Sequence, residues 1–276
     1  MIDLHSHTTA SDGQYPPEEL LALAAAAGVT VLAVTDHDTV SGLARAEAAA
    51  TLRGITLVNG IELSAFVDGR REVHVLGHFL DRDNPELGAF SHKLRGERER
   101  RMEAMVVRMQ ELGLPVTMDE VREIAQDAHL GRPHLARVLV EKRYCSSTKD
   151  AFDRFLGDGK PAAVDRFKLS AADAISLIHR AGGTATLAHP GTNRIERHDL
   201  EGLKALGLDG VEVYHSDHNP SVREKYLKAA SALDLVPTGG SDFHGEKVAP
   251  GRKLGSSSMP EANFEALHAR RMLLTR

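Results

Sequence analysis

Short apolar runs alternate with amphipathic segments along most of the chain, and this alternation restricts the fold more than any other feature. Seven runs are rich in β-branched residues and bounded by glycine or polar residues, as buried parallel strands are: residues 2–4, 31–35, 56–61, 73–78, 184–188, 210–214 and 236–238. Helix signals lie between them, such as Pro17 in a first turn, Gly28 at an end, and the variant capping box of Ser170 and Asp173. Strand–helix alternation predicts an α/β fold with a parallel sheet or a (β/α) barrel.

One long stretch interrupts the alternation. Between residues 92 and 168 the pattern favours helices and contains few convincing strands, and it begins with a highly charged helix at residues 95–112. We therefore expect two parts. Residues 1–91 and 169–276 form the barrel, and residues 92–168 form a helical insertion over the active-site mouth.

Composition excludes several classes of protein. The chain has 276 residues and is 42% hydrophobic, which is enough for one large α/β domain with or without an insertion. Its 34 basic and 39 acidic residues leave a net charge of −5, so any contact with nucleic acid should be local. The single cysteine, Cys145, permits no intrachain disulfide. No secretory signal and no apolar run near the ~20 residues of a membrane helix is present, so we expect a cytoplasmic enzyme without membrane contact.

Histidines and acids occupy nine positions that follow or lie within these apolar runs. They are His5, His7, Asp12, His37, Glu62, His74, His189, Asp242 and His244. A lone histidine is usually structural, but residues two apart on a strand face the same side, so His5 and His7 share one cavity. The C-terminal ends of barrel strands are where such folds carry chemistry. Nitrogen and oxygen ligands without thiolate suit Zn, Mn or Fe, and the count is too large for one ion, so the sequence predicts a multinuclear metallohydrolase.

These motifs resemble one known family. The segments HSHTTASDG, TDHDT, GIELSA, LAHP and GSDFHG, with the strand that contains His74, are similar to those of the PHP (polymerase and histidinol phosphatase) family over essentially the whole chain. The resemblance implies a distorted (β/α)7 barrel that hydrolyses phosphoesters by attack of metal-bound hydroxide. It also implies three divalent metal ions, with Mn²⁺ expected first and Fe²⁺ or Zn²⁺ accepted by the same ligands. The insertion with GRPHLARVL is similar to the bacterial branch that acts on nucleoside 3′,5′-bisphosphates and on short RNA from the 5′ end.

The resemblance also divides the nine ligands among the ions. One ion is held by His5, His7, Glu62 and Asp242. A second is held by Glu62, His74 and His189, so that Glu62 bridges the two. The third is held by Asp12, His37 and His244. All nine positions are filled, so the sequence contains no sign of an inactive site.

Four further residues are candidates for catalysis and substrate binding. His215 follows a predicted strand and is the best-placed proton donor for the leaving group, with a hydrogen-bonding role as an equal alternative. The segment Gly131-Arg132-Pro133-His134 predicts a helix start at which free N–H groups, Arg132 and His134 bind an anion, and Lys160 can reach the same anion. The alternative is an ordinary helix start with a surface arginine. The other histidines, His129 among them, are expected to be structural or at the surface.

We therefore expect a phosphatase that removes the 3′-phosphate of a nucleoside 3′,5′-bisphosphate, giving a 5′-monophosphate and inorganic phosphate. The alternatives are a 5′-to-3′ exonuclease on short RNA and a histidinol phosphatase. A non-enzymatic binding module would show missing ligands. Aromatic residues are 4% of the chain and tryptophan is absent, so stacking on a long strand is poorly supported. The expected partner is a small nucleotide, with short RNA as the alternative and no obligate protein partner.

Overall fold

The computed structural model describes residues 1–125 and 130–274, with side chains to residue 272. His129 lies outside the described residues. The chain divides into two compact units, one formed by Met1–Ala89 with Lys168–Arg276 and the other by Phe90–Phe167. Among the described helices, none has the length and apolar character needed to cross a membrane.

The first unit is built on a mixed sheet that is nearly closed into a barrel. Its strands are β1 (Ile2–Asp3), β2 (Val31–Val34), β3 (Thr56–Val67), β4 (Arg71–His78), β5 (Leu169–Ser170), β6 (Thr184–Leu187), β7 (Gly210–His215) and β8 (Val236–Gly240). Seven strands follow the order β1-β2-β3-β4-β6-β7-β8, and β5 pairs with β3. The ends of this order meet, because the Leu4 N–H donates to the Gly239 carbonyl at 3.1 Å and Ser6 bridges to Phe243. The expected seven-strand α/β barrel is confirmed.

Strand β4 runs against its neighbours. It pairs antiparallel with both β3 and β6, whereas β1–β2, β2–β3, β6–β7 and β7–β8 are parallel. The cause is local: β3 and β4 are joined by a tight turn in which Asp68 and Gly69 both have positive φ, and such a turn joins only antiparallel strands. The first half of β4 therefore lies beside the second half of β3, where Ser64 pairs with His74.

Helices connect the strands and form most of the second unit. Their bounds are α1 (Pro17–Ala26), α2 (Leu43–Arg53), α3 (Pro85–Glu111), α4 (Met118–Ala125), α5 (Arg132–Glu141), α6 (Thr148–Ala151), α7 (Ala171–Arg180), α8 (Arg197–Ala205), α9 (Pro220–Ala232) and α10 (Glu261–Leu274). Helix α3 begins ten residues before the predicted charged helix because Asn84 Oδ1 accepts from the N–H groups of Glu86 and Leu87.

Each unit has its own apolar core. In the first unit, Leu20 and Leu21 of α1 and Leu43 of α2 pack beside Leu32 of β2. The described part of the second unit contains helices, with a π-helical turn at Phe152–Leu156, and no strand. Its core includes the fully buried Met105 of α3 and neighbours from every other helix of the unit. Each unit is therefore packed around apolar residues of its own.

Candidate metal centre

The nine predicted ligands are all in the first unit, and the barrel brings them together. Their donor atoms form three overlapping groups, within each of which all atoms lie within 4.8 Å of one another. The groups are His7, Asp12, His37 and His244; His5, His7 and Asp242; and His37, Glu62 and His74. The remaining residue, His189, joins them through a contact of 3.1 Å between its Nε2 and Glu62 Oε1.

Glu62 is at the centre of the cluster, and its side chain is almost fully buried. Its Oε2 lies 3.2 Å from His5 Nε2, 3.2 Å from His7 Nε2 and 3.3 Å from His37 Nδ1. Its Oε1 lies 2.9 Å from His74 Nδ1 and 3.1 Å from His189 Nε2. The two oxygens therefore face different sets of histidines, which is the arrangement that a carboxylate shared between two cations requires.

The antiparallel direction of β4 explains how His74 reaches the cluster from inside a strand. Most of the other ligands follow strand ends, but Glu62 lies within β3, which continues to Val67, and His74 is the fourth residue of β4. Because β4 is reversed, its early residues lie at the end of the barrel where the parallel strands finish.

Two residues of the cluster have backbone conformations that side chains disfavour. His189 has a φ of 28° and Asp242 a φ of 53°. Such conformations cost of order 1–3 kcal/mol and concentrate at functional sites. Close packing is found two residues before Asp242: a Cβ on Gly240 would lie 2.3 Å from His5 Cβ, so glycine is required where β8 meets the segment after β1. Gly239 is required for a similar reason, since a Cβ there would lie 2.6 Å from Tyr214 Cβ.

Three of the histidines are oriented by a contact on Nδ1, the ring nitrogen other than Nε2. His5 Nδ1 lies 3.1 Å from Glu212 Oε1, His244 Nδ1 donates to the Asp242 carbonyl at 3.0 Å, and His189 Nδ1 lies 3.1 Å from Thr192 Oγ1. The Thr192 hydroxyl donates to the His189 carbonyl, so its oxygen accepts from the ring. In each case the Nε2 lone pair is directed inwards, as a metal-ligating histidine requires.

The cluster has strongly shifted pKa values in the metal-free protein. Burial alone lowers the pKa of His7, but hydrogen bonds to Asp242 and Glu62 outweigh it and raise this pKa to about 9. Burial is likewise outweighed at His74, where Glu62 raises the pKa to about 10. At His37 burial prevails and lowers the pKa to about 4. Burial alone raises the pKa values of Glu62 and Asp242, but the surrounding histidines outweigh it and hold both values well below the usual range.

These residues fit divalent cations. The ring nitrogens His7 Nδ1 and His37 Nδ1 are buried and have no hydrogen-bond partner within the described chain. His7 Nδ1 lies 3.7 Å from Asp12 Oδ1, beside His244 Nε2, which lies 3.4 Å from the same oxygen. Buried nitrogen lone pairs beside a carboxylate suit Mn²⁺, Fe²⁺ or Zn²⁺. When no cation is bound, protons on the histidines supply part of the positive charge that balances the carboxylates.

Sequence reasoning missed two residues beside the cluster. Glu212 is fully buried on β7 and contacts His5 through one oxygen, while the other accepts from the His189 N–H at 2.7 Å. A single acid within the apolar run GVEVY was the signal that could have identified it. Arg252, which contacts Asp242, lies in the loop that follows the GSDFHG segment, but no strand or helix signal marks it.

His215 is buried at the edge of the cluster. Its Nδ1 accepts from the Asp217 N–H at 3.1 Å, so the ring carries its proton on Nε2, which lies 3.4 Å from Asp242 Oδ2. The predicted role in leaving-group protonation stays a prediction, and these contacts favour its alternative, a hydrogen-bonding role.

Arg132, His134 and Lys160 lie in the second unit. Arg132 Nη1 donates to the Leu156 carbonyl at 3.2 Å and pairs with Asp158 at 2.7 Å. The predicted helix start is confirmed at Gly131, but the Gly131 N–H donates to His134 Nδ1 at 3.1 Å and is not free for an anion. Lys160 is exposed, in the turn that follows Gly157.

The fold and this cluster define a metal-dependent hydrolase built on a nearly closed seven-strand barrel. The profile of the PHP domain matches residues 3–94. A 5′-3′ exoribonuclease of Haemophilus influenzae is 38% identical over 246 residues, 88% of this chain and 89% of the relative. The chain belongs to the PHP family, and it is a metal-dependent hydrolase of phosphate esters.

Two proteins of Chromobacterium violaceum extend the comparison. A 3′,5′-nucleoside bisphosphate phosphatase is 36% identical over 248 residues, 88% of this chain and 87% of the relative. The solved structure of an amidohydrolase with bound sulfate and no metal is 34% identical with a TM-score of 0.76, over 98% of this chain and 96% of that chain.

Proposed function

We propose that this protein removes the 3′-phosphate of a nucleoside 3′,5′-bisphosphate to give a 5′-monophosphate and inorganic phosphate. The observation that carries the proposal is Glu62, which presents each carboxylate oxygen to a separate set of histidines within 3.3 Å. This geometry suits adjacent cations that together bind one phosphate group. The substrate is supported by the likeness to the bisphosphate phosphatase of C. violaceum.

Three divalent ions, Mn²⁺ first, are the cofactors that we propose. Glu62, with His5, His7 and Asp242 on one side and His74 and His189 on the other, would hold two of them, and Asp12, His37 and His244 the third. When bound, such ions lower the pKa of water, bind the phosphoryl oxygens and offset charge on the leaving oxygen. The chain's own part is to hold the ligands in place: Glu212 orients His5, and Thr192 orients His189.

Arg132, His134 and Lys160 are the residues that we propose for the phosphate that is not hydrolysed. Arg132 pairs with Asp158, whose side chain is 94% exposed, so the pair is weak and a phosphate can displace it. His134 has its proton on Nε2 because Nδ1 accepts from the Gly131 N–H, so its ring can donate to a phosphate oxygen. Guanidinium, imidazole and ammonium donors in one unit favour a substrate with two phosphates.

Short RNA is a second candidate substrate. The likeness to the exoribonuclease of H. influenzae, at 38% identity, favours it. Both reactions use the same cations and differ in whether the group that leaves is a nucleoside-bearing oxygen or a nucleotide chain.

Phosphate release from adenosine 3′,5′-bisphosphate tests the proposal, with a 5′-phosphorylated short RNA and histidinol phosphate as competing substrates. We expect the Mn²⁺-loaded protein to prefer the bisphosphate. Arg132→Gln should raise KM about 10–100-fold, because a charged hydrogen bond contributes about 1.5–3 kcal/mol, and should leave bound metal unchanged. Arg143→Gln, the same charge change in the exposed turn after α5, should have no effect.

Two results would overturn the proposal. Faster cleavage of RNA would assign the protein as an exonuclease. Inertness on all three substrates with metals bound would refute the substrate assignment and leave the metal centre standing.

A further inference from the structure

Four residues form a closed ring of contacts at the edge of the cluster. His215 Nε2 faces Asp242 Oδ2 at 3.4 Å, and Arg252 Nη1 pairs with the same oxygen. Arg252 Nη2 donates to Asp217 Oδ2 at 2.6 Å, and the Asp217 N–H donates back to His215 Nδ1 at 3.1 Å. The ring joins the end of β7 and the residues just after it to the connection between β8 and α10.

The two carboxylate oxygens of Asp242 have different partners. Oδ2 is taken by Arg252 and His215. Oδ1 faces the cluster, at 3.3 Å from His5 Nε2, from His7 Nε2 and from His244 Nδ1. Arg252 Nη1 also donates to the Asp242 main-chain carbonyl at 3.0 Å. One guanidinium therefore holds both the side chain and the backbone of this residue.

We propose that Arg252 is a positioning residue that restricts Asp242 to a single ligating oxygen, Oδ1, for the cation held by His5 and His7. The inference rests on the proposed function, since it takes Asp242 as a ligand. Arg252 itself does not touch the cation or the substrate in this role.

Arg252 opposes both relaxation of the strained Asp242 backbone and rotation of the Asp242 carboxylate. Asp242 has a φ of 53°, a conformation that persists only when its surroundings hold it, and the bond from Arg252 to its carbonyl supplies part of that hold. A carboxylate with a free second oxygen can rotate away or bind through both oxygens, whereas a charge-assisted bond to Oδ2 prevents both. Partners that orient a metal ligand are worth about 10–100-fold in metal affinity or activity.

The chain contains a matched control for this contact. Arg270 donates to the main-chain carbonyl and to the carboxylate of Asp234, whose φ is 51°. This pair has the same chemistry and the same backbone conformation as Arg252 with Asp242, but it involves none of the proposed ligands.

The test is metal binding by the full chain, measured as the number of Mn²⁺ ions retained and their affinities in competition with a chelator. We expect Arg252→Gln to weaken one ion about 10–100-fold and to leave the others unchanged. Arg252→Lys, which can keep one bond, should lie between this variant and the wild type. Arg270→Gln should bind all ions as the wild type does.

Two results would overturn the inference in distinguishable ways. Wild-type affinities in Arg252→Gln together with a raised KM would make Arg252 a substrate-contacting residue. Wild-type affinities in Asp242→Asn would refute the ligand assignment itself. If Arg252→Gln does not fold, Asp217→Asn replaces it, because this change weakens the bond that Arg252 Nη2 donates to Asp217. A loss of affinity for the same single ion then supports the inference, and unchanged affinities refute it.

Discussion

At the scale of the residue, the candidate ligands are held in place by groups that would not touch a cation themselves. Glu212 is the clearest case, because one buried carboxylate serves two ligands: Oε1 contacts the His5 ring and Oε2 accepts from the His189 N–H. Burial alone raises the pKa of Glu212, but His5 and His215 outweigh it and lower this pKa to about 2, so the group is ionised and only accepts. A proton of the His5 ring therefore lies on Nδ1, which leaves Nε2 as the nitrogen that would bind a cation.

Glu212→Gln tests this role. Glutamine has one acceptor oxygen and no charge, so it cannot serve both His5 and the His189 N–H, and we expect a loss of about 10–100-fold in metal affinity. Chelator competition measures the affinity, and circular dichroism checks the fold. Glu265→Gln, the same change on the exposed face of α10, should leave the affinity unchanged. An unchanged affinity in Glu212→Gln would contradict the role.

At the scale of the element, local signals decide where helices begin. Ser170 precedes α7, and its hydroxyl oxygen accepts from the Asp173 N–H at 3.0 Å, as the variant capping box predicted. The apolar residues Ala174, Ile175 and Ile178 of this helix are buried against the barrel. The cap therefore fixes the register at which this apolar face meets the sheet.

Ser170→Ala should lower the free energy of unfolding of the first unit by about 1 kcal/mol, because the N–H of Asp173 loses its acceptor. Urea denaturation of the metal-loaded protein measures the change. Ser231→Ala is the control, since Ser231 is exposed within α9, where alanine is the better helix former, and the change should be neutral or slightly stabilising. Equal effects of the two substitutions would refute the capping contribution.

At the scale of the whole molecule, the metal-free barrel balances buried carboxylates against protonated histidines. The raised pKa values of His7, about 9, and His74, about 10, mean that folding stabilises their charged forms. This stabilisation is fully present below pH 6.5, the ordinary pKa of histidine, and is lost as the pH rises through the raised values. The pKa of His37, lowered by burial to about 4, acts in the opposite sense but only below pH 6.5.

The metal-free protein should therefore lose stability between pH 6.5 and 9, and its Tm in excess chelator should fall across this range. Metal ligands must be deprotonated, so Mn²⁺ should bind more tightly as the pH rises and should remove this fall. Thermal scans with and without Mn²⁺ across the range measure both effects. A metal-free Tm that stays constant or rises would show that His7 and His74 are not protonated in the folded protein.

Local patterns in the sequence predicted the seven barrel strands, the helix starts at Pro17 and after Ser170, and the nine residues that the barrel brings together, because apolar periodicity, helix-start residues and position along or after a strand are local properties. The reversed direction of β4 emerges in the structure, where the tight turn at Asp68 and Gly69 folds β4 back along β3 and β6 pairs with its other edge. The folded structure revealed Arg252, which lies ten residues after Asp242 and folds back onto it within the connection between β8 and α10. It also revealed Glu212, whose contact with His5 spans 207 residues. The contact of Glu212 exists only after the sheet has closed, because no pattern in the chain records which distant residues a closed barrel places side by side.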